Sequence, residues 1–356
     1  MRVLHVVPSL EVDYGGPARS VPMLAKALRD TGVDARVWSR RNRAGLCAEL
    51  GVPTEQGEFS EVLKRIPWDL VHDHGIWLPL HHKVAQACRA RRVHRVVSPR
   101  GMLEPWSLAD HRLRKRMVWH VYQKADLFSS AGLHATSTAE ATQLRTIGFE
   151  GPIATVPNGV ESPDEHDPAS FVGPPEAVFM SRIHPKKGLP MLVEAWAKVR
   201  PQGWKMKVVG PDERGHRAEV EKLVRSSGLE EEWDFVGGVS GSGRWGALRS
   251  AQLFILPSHS ENFGVVIAEA LCVGLPVITT TATPWARLTE VGCGRQVTPD
   301  SSAIAKALED LTALSPNQRQ QMGGRGRAWI AAEFTWAPLG VRMRDFYRSL
   351  TDRDLR

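Results

Sequence analysis

One pattern limits the fold of this chain more than any other: it runs once, breaks, and starts again. An apolar run at residues 3–10 leads into a loop, EVDYGGP, then a helical stretch at 18–29, then a second apolar run, VDARVWS. Within the helical stretch Val21, Leu24 and Leu28 recur at the spacing of one helix face. A segment rich in proline and aspartate, SPDEHDPASFVGPP at 162–175, interrupts the pattern. It then resumes as AVFMSR (strand), IHPKKG (loop), LPMLVEAWAKV (helix) and KMKVVG (strand). Strands alternating with helices build parallel sheets. The expectation is an α/β protein of two doubly wound domains, residues 1–161 and 176–335, joined by a linker at 162–175 and closed by a helix at 336–356.

Open parallel sheets bind ligands beyond the carboxyl ends of their strands, so the loops at those ends carry the functional reading. The first holds Gly15-Gly16, with neither GxGxxG nor GxxxxGK[ST] spacing, which excludes a dinucleotide or P-loop signature. A strand DLVHDH places His72 and His74 on one face, and the strand before SPRGMLEPW ends at Arg100, a natural oxyanion partner. In the second half Arg182 and Lys187 bracket a loop that ends at Gly188, as suits a diphosphate leaving group.

Residues 258–280, SHSENFGVVIAEALCVGLPVITT, read as a polar loop, a helix starting near Phe263 and a buried strand. Ser258, Ser260 and Asn262 are good capping residues. Gly264 lets a phosphate approach the first-turn amides of Phe263, Gly264 and Val265. Glu261 precedes this helix, and Glu269 lies about two turns into it, on the order of 10 Å from Asn262 at helical rise. A carboxylate in so apolar a helix needs a partner, whether a ligand or a cation of the protein.

Composition narrows the class. At 356 residues two domains are expected, and the four cysteines have neither disulfide nor metal-ligand spacing. His72 and His74 lack a convincingly spaced third ligand, so no metal is expected. No apolar run is long enough to cross a bilayer, and Met1-Arg2 leads straight into a strand, so a cytoplasmic protein is expected. The net charge of +7 is concentrated in Arg89, Arg91, Arg92, Arg95 and Arg100, then in Arg112, Arg114, Lys115, Arg116 and Lys124. The second group alternates with Leu113, Met117, Trp119 and Tyr122. It reads equally as a plain solvated face or as a helix lying on an anionic membrane surface.

Taken together these motifs resemble the retaining glycosyltransferases of family 4. Glu261 and Glu269 match the E-x7-E spacing, SRIHPKKGL the Arg…Lys-Gly loop and VPNGV the interdomain segment, while Gly15-Gly16 match the N-terminal glycine-rich loop. The resemblance implies a GT-B fold, two Rossmann-like domains facing across a cleft, with the last helix crossing back to the first domain. It implies retaining sugar transfer from a UDP or GDP sugar, with neither metal nor further cofactor. Arg182 and Lys187 would hold the diphosphate beside amides of Gly16 and residues 263–265. Glu269 would hold the ribose and Glu261 the sugar hydroxyls. Many relatives carry a histidine where this chain has Arg100, which leaves Arg100 or His74 to take that role. The SPRGML and HGIW versions resemble enzymes of bacterial surface polysaccharides, which implies a glycan or polyprenyl-diphosphate-linked acceptor and no nucleic acid. The competing readings are a GT-B nucleotide-sugar epimerase and a non-catalytic basic protein binding membrane or nucleic acid.

Overall fold

The computed structural model describes residues 1–11, 14–41, 45–109, 111–161, 173–239 and 242–352. Residues 162–172 of the expected linker fall outside them. The chain forms two compact units, Met1–Gly159 with Thr335–Arg356, and Val160–Phe334.

The first unit is built on a sheet of β1 (Arg2–Ser9), β2 (Asp34–Arg41), β3 (Thr54–Glu55), β4 (Leu70–His74), β5 (His94–Ser98), β6 (Gly132–Ala135) and β7 (Ile153–Thr155). All pairings are parallel, in the order β3-β2-β1-β4-β5-β6-β7. Both faces of a parallel sheet are covered, so alternate residues of one strand serve two cores. Val3 and Val7 pack with Val21, Leu24 and Leu28 of the helix Gly16–Asp30. Leu4 and Val6 pack on the other face with Val62, Val84 and Cys88. The helix Trp336–Thr351 joins the first of these cores through Leu339, Met343, Tyr347 and Leu350. It lies so close that a Cβ at Gly340 would stand 2.7 Å from the Ala27 carbonyl oxygen.

The second unit holds β8 (Glu176–Met180), β9 (Lys205–Val209), β10 (Trp233–Gly237), β11 (Leu253–Leu256), β12 (Val277–Thr280) and β13 (Gly294–Val297). They form a parallel sheet in the order β10-β9-β8-β11-β12-β13. In both units the strand order reverses once, between β1 and β4 and between β8 and β11. Such a switch point opens a crevice at the carboxyl ends of its two strands.

The basic groups differ from the sequence reading. Arg95 is buried and ion-pairs with Asp73 at 3.2 Å, and Arg89 pairs with Asp126 at 3.0 Å. Arg95 is therefore not part of an exposed patch, because a buried cation needs a carboxylate, whereas the Arg89 side chain stays 43% exposed. The second group does form a surface: on the helix Arg112–Val118 and the π-helical turn Trp119–Gln123, Leu113, Met117 and Val121 are 83%, 62% and 72% exposed. No helix among the described residues is long and apolar enough to cross a membrane.

Candidate active site

In the second unit the two strands at the switch point supply the site. After β8 the chain makes a short turn, Pro185–Lys187, which His184 caps by accepting from the Lys186 amide at 3.0 Å. Gly188 ends the turn at φ +70°, and a Cβ there would stand 2.1 Å from the Pro257 carbonyl oxygen. Glycine thus lets the β8 loop press against the loop after β11. This contact delivers Lys187 Nζ onto Glu261 as an ion pair, with side chains only 12% and 11% exposed. The Ser258 hydroxyl donates to Glu261 Oε1 at 2.8 Å, and the Glu261 amide is fixed on the Ala282 carbonyl at 3.0 Å. Burial pushes the Glu261 carboxyl upward. The Lys187 charge and the bonds from Lys187 and Ser258 outweigh it and hold the group below its ordinary value, hence ionised.

Arg182 also lies in this loop, but its side chain is 59% exposed and turned onto Glu213 at 2.6 Å. So open a pair is worth little, and Arg182 is available to an anion at small cost.

The helix after β11 starts later than the sequence suggested. It spans Val265–Cys272, with Gly264 at its N-cap in the left-handed region (φ +74°) and no side-chain cap. Ser258 bonds Glu261 instead, and Glu269 sits one turn into the helix rather than two. The Phe263 ring is core, packed 5.2 Å from Trp285 and 6.0 Å from Phe334, so only its backbone is available to a ligand. Asn262, Gly264 and Val265 are partly open. Glu269 is buried and pairs with Arg244 at 2.9 Å, on the helix Ser242–Arg249. Its cation therefore comes from the protein, one of the two kinds of partner the sequence left open. The Arg244 guanidinium also lies over the Trp245 ring, 4.7 Å from its centroid.

In the first unit, Gly15 (φ +89°) caps the helix Gly16–Asp30, and no described residue lies within 4 Å of a Cβ built at Gly16. Arg100, after β5, has the left-handed φ of +54°, unusual for a side-chain-bearing residue. Glu140 fixes this turn by accepting from the Gly101 amide at 2.6 Å. The half-buried Arg100 guanidinium donates to Ser20 Oγ at 3.0 Å, Asn158 Oδ1 at 3.4 Å and His74 Nδ1 at 3.0 and 3.3 Å. All these acceptors are neutral, and Arg100 forms no ion pair among the described residues. Burial brings it down to about 10 against the opposing pull of the Glu140 carboxyl, so it stays charged.

His74 itself is fully buried, with Nε2 2.9 Å from His5 Nδ1. Both ring nitrogens are occupied, so it does not face a ligand as the sequence reading had it. His5, His72 and His74 do come together, with nitrogens within 4.8 Å of one another. The third histidine that spacing failed to reveal is His5, the register partner of His72 on the next strand. The set is a poor fit for a cation, since it shares nitrogens in hydrogen bonds and adjoins Arg100. Sequence reasoning also missed Ser20, His134, Tyr347 and Arg244. For His134 the available signal was a polar residue on a buried strand, where a partner is obligatory; the other three lie on helices.

Two parallel sheets, each with charged or amide groups collected beyond its switch point, are the build of a GT-B glycosyltransferase. Residues 15–159 match the family Glycosyl transferase 4-like domain and residues 162–329 match Glycosyl transferases group 1; the chain belongs to the glycosyltransferases that combine these two domains. It is similar to the GDP-mannose:cellobiosyl-diphosphopolyprenol alpha-mannosyltransferase of Komagataeibacter xylinus, 26% identical over 100% of this chain and 95% of the relative. The protein of the same name from Xanthomonas campestris is 24% identical over 79% of this chain and 74% of its own length. Among solved structures, Anabaena HepE in complex with UDP-glucose shares the fold, with a TM-score of 0.80 and 20% identity over 98% of this chain and all of that one.

Proposed function

We propose that this glycosyltransferase transfers mannose from GDP-mannose, with retention and without a metal, to a polyprenyl-diphosphate-linked glycan. The observation that carries the reading is the buried Lys187–Glu261 pair at the switch point of the second unit, with Glu269 on the helix that follows. The donor and acceptor classes rest on the names of the relatives, one of which aligns with the whole chain.

The roles follow from charge. Lys187 and Arg182 bind the diphosphate, and the amides at 263–265 add the positive end of a helix. Glu269 takes the ribose hydroxyls and Glu261, freed as Lys187 turns to phosphate, takes hydroxyls of the sugar. In the first unit, taken by itself, Arg100 and the Gly16 amide are each suited to an anionic phosphate oxygen of a substrate. The C1–O bond to phosphate breaks as negative charge gathers on the leaving group, and fixed cations stabilise that charge selectively in the transition state. The acceptor oxygen bonds C1 on the same face, and its proton passes to the departing phosphate. A retaining glycosidase needs two carboxyls about 5 Å apart, one of them a free nucleophile. Here Glu261 and Glu269 are each engaged by a cation of the protein. No cofactor beyond the donor is invoked. The exposed Leu113, Met117 and Val121 stripe, flanked by Arg112, Arg114 and Arg116, supports a peripheral position on an anionic cytoplasmic membrane face, where a lipid-linked acceptor resides.

The test is purified protein with GDP-mannose or UDP-glucose and cellobiosyl-diphosphopolyprenol, with and without EDTA, read by mass spectrometry. Mannosylated acceptor from GDP-mannose, unaffected by EDTA, is expected. Isomerised donor without acceptor would favour an epimerase, and product from UDP-glucose alone would overturn the donor.

A further inference from the structure

Four histidines lie buried in the first unit around Arg100: His5 on β1, His72 and His74 on β4, and His134 on β6. Burial and the Arg100 charge hold all four below the ordinary imidazole range, with repulsion from neighbouring histidines adding at His5, His72 and His74; His5 and His134 lie at about 3. The rings are therefore neutral, each with one N–H and one lone pair.

Fixed donors and acceptors at the two ends then determine every tautomer. A carbonyl only accepts, so His134 Nε2, 2.8 Å from the Val156 oxygen, bears the proton. His134 Nδ1 is left to accept from His72 Nε2 at 3.3 Å, and His72 Nδ1 accepts the Tyr347 hydroxyl at 2.6 Å. A guanidinium only donates. His74 Nδ1, bonded to two nitrogens of Arg100, must therefore be a lone pair, and its Nε2–H donates to His5 Nδ1 at 2.9 Å. His5 Nε2 then carries a proton and has no hydrogen-bond partner among the described residues. The two branches touch where the His72 and His74 rings approach, with centroids 3.9 Å apart.

We propose that His5 is a positioning residue for sugar transfer: by accepting the Nε2–H of His74 it holds that ring in the orientation from which Nδ1 accepts from Arg100, and so aims the Arg100 guanidinium. Without an acceptor at this spot the buried Nε2–H of His74 is stranded, and the ring relieves it by turning away from the orientation in which Nδ1 faces Arg100. Arg100 then loses the acceptor that takes two of its bonds, keeping only Ser20 and Asn158. The inference rests on the assignment of Arg100 to a phosphate oxygen.

The experiment combines long-range 1H–15N spectra of histidine-labelled protein with steady-state turnover of GDP-mannose. In the wild type His5 and His74 are expected as Nε2–H tautomers that do not titrate between pH 7.5 and 5.5. Finding His74 protonated at Nδ1, or titrating near 6.5, overturns the proposal whatever the donor is. His5→Leu removes the acceptor, whereas His5→Asn places a carboxamide oxygen near the Nδ1 position. The expected outcome is a kcat at least tenfold lower in His5→Leu and within threefold of wild type in His5→Asn. A folded His5→Leu protein with wild-type kcat, or a His5→Asn protein as slow as His5→Leu, refutes it. If His5→Leu does not fold, the wild-type spectrum and the His5→Asn rate decide. Wild-type protein inert toward GDP-mannose counts against the donor reading, and the spectrum then decides on His5 alone.

Discussion

Removing Lys187 tests the electrostatics of the second unit most fully. In Lys187→Met the Glu261 carboxyl remains 11% exposed, with the Ser258 hydroxyl but no cation. Breaking a buried pair from one side costs about 3 kcal/mol, because the remaining charge is uncompensated. The cost has a pH signature. In the wild type Lys187 and Ser258 keep the Glu261 value depressed. The group then contributes stability above the unfolded carboxylate range, and loses it as pH falls through the folded value. Without Lys187 the burial effect prevails and the folded value is raised. The unfolded state then ionises more readily than the folded one, so the variant loses stability as pH rises from 4 to 7. Urea unfolding of the second unit, followed at both pH values, should show a deficit of about 3 kcal/mol at pH 7 that shrinks by at least half at pH 4. Adding Glu261→Gln to Lys187→Met should recover about 1–2 kcal/mol at pH 7, because it removes the stranded charge. An equal deficit at both pH values, with no recovery in the double variant, would refute the reasoning.

Three further outcomes follow. Lys187→Met and Glu269→Ala should each lower kcat/KM by at least tenfold, about 1.4 kcal/mol, and wild-type rates in both would remove the donor site from this unit. The four buried histidines stay neutral in the folded protein while their unfolded counterparts take protons below 6.5, so stability is present at neutral pH and falls with acidification. Between pH 7 and 5.5 the loss should be about 1 kcal/mol per histidine, and a flat profile in chemical denaturation would contradict their burial. Replacing Leu113, Met117 and Val121 together by glutamate should abolish flotation with anionic liposomes and leave thermal stability within about 0.5 kcal/mol, as for exposed sites; unchanged flotation would exclude this helix as the contact.

Strands read well from the sequence where they are long and apolar. β1, β4, β5, β8, β9 and β11 fall where alternation and loop residues place them. The two-residue β3 and three-residue β7 are too short for a periodic signal, and sheet pairing rather than local propensity creates them. The helix after β11 was placed two residues early because Phe263 continues its apolar run. In the structure that ring turns into an aromatic cluster while Gly264 makes the cap. Lys187 and Glu261 were legible because each sits in a polar loop at a strand end. Arg244 was not, since nothing local distinguishes it from a surface arginine until the sheet brings its helix beside Glu269. His5 was hidden in the same way within an apolar strand, and only the parallel register with β4 sets it against His72.

The central claim is that Lys187, Glu261 and Glu269 form the donor site. A crystal structure with GDP tests it most directly. The diphosphate is expected within hydrogen-bonding distance of Lys187 and of the amides at 263–265, with ribose hydroxyls on Glu269. A nucleotide bound elsewhere, with the Lys187–Glu261 and Arg244–Glu269 pairs undisturbed, would contradict it.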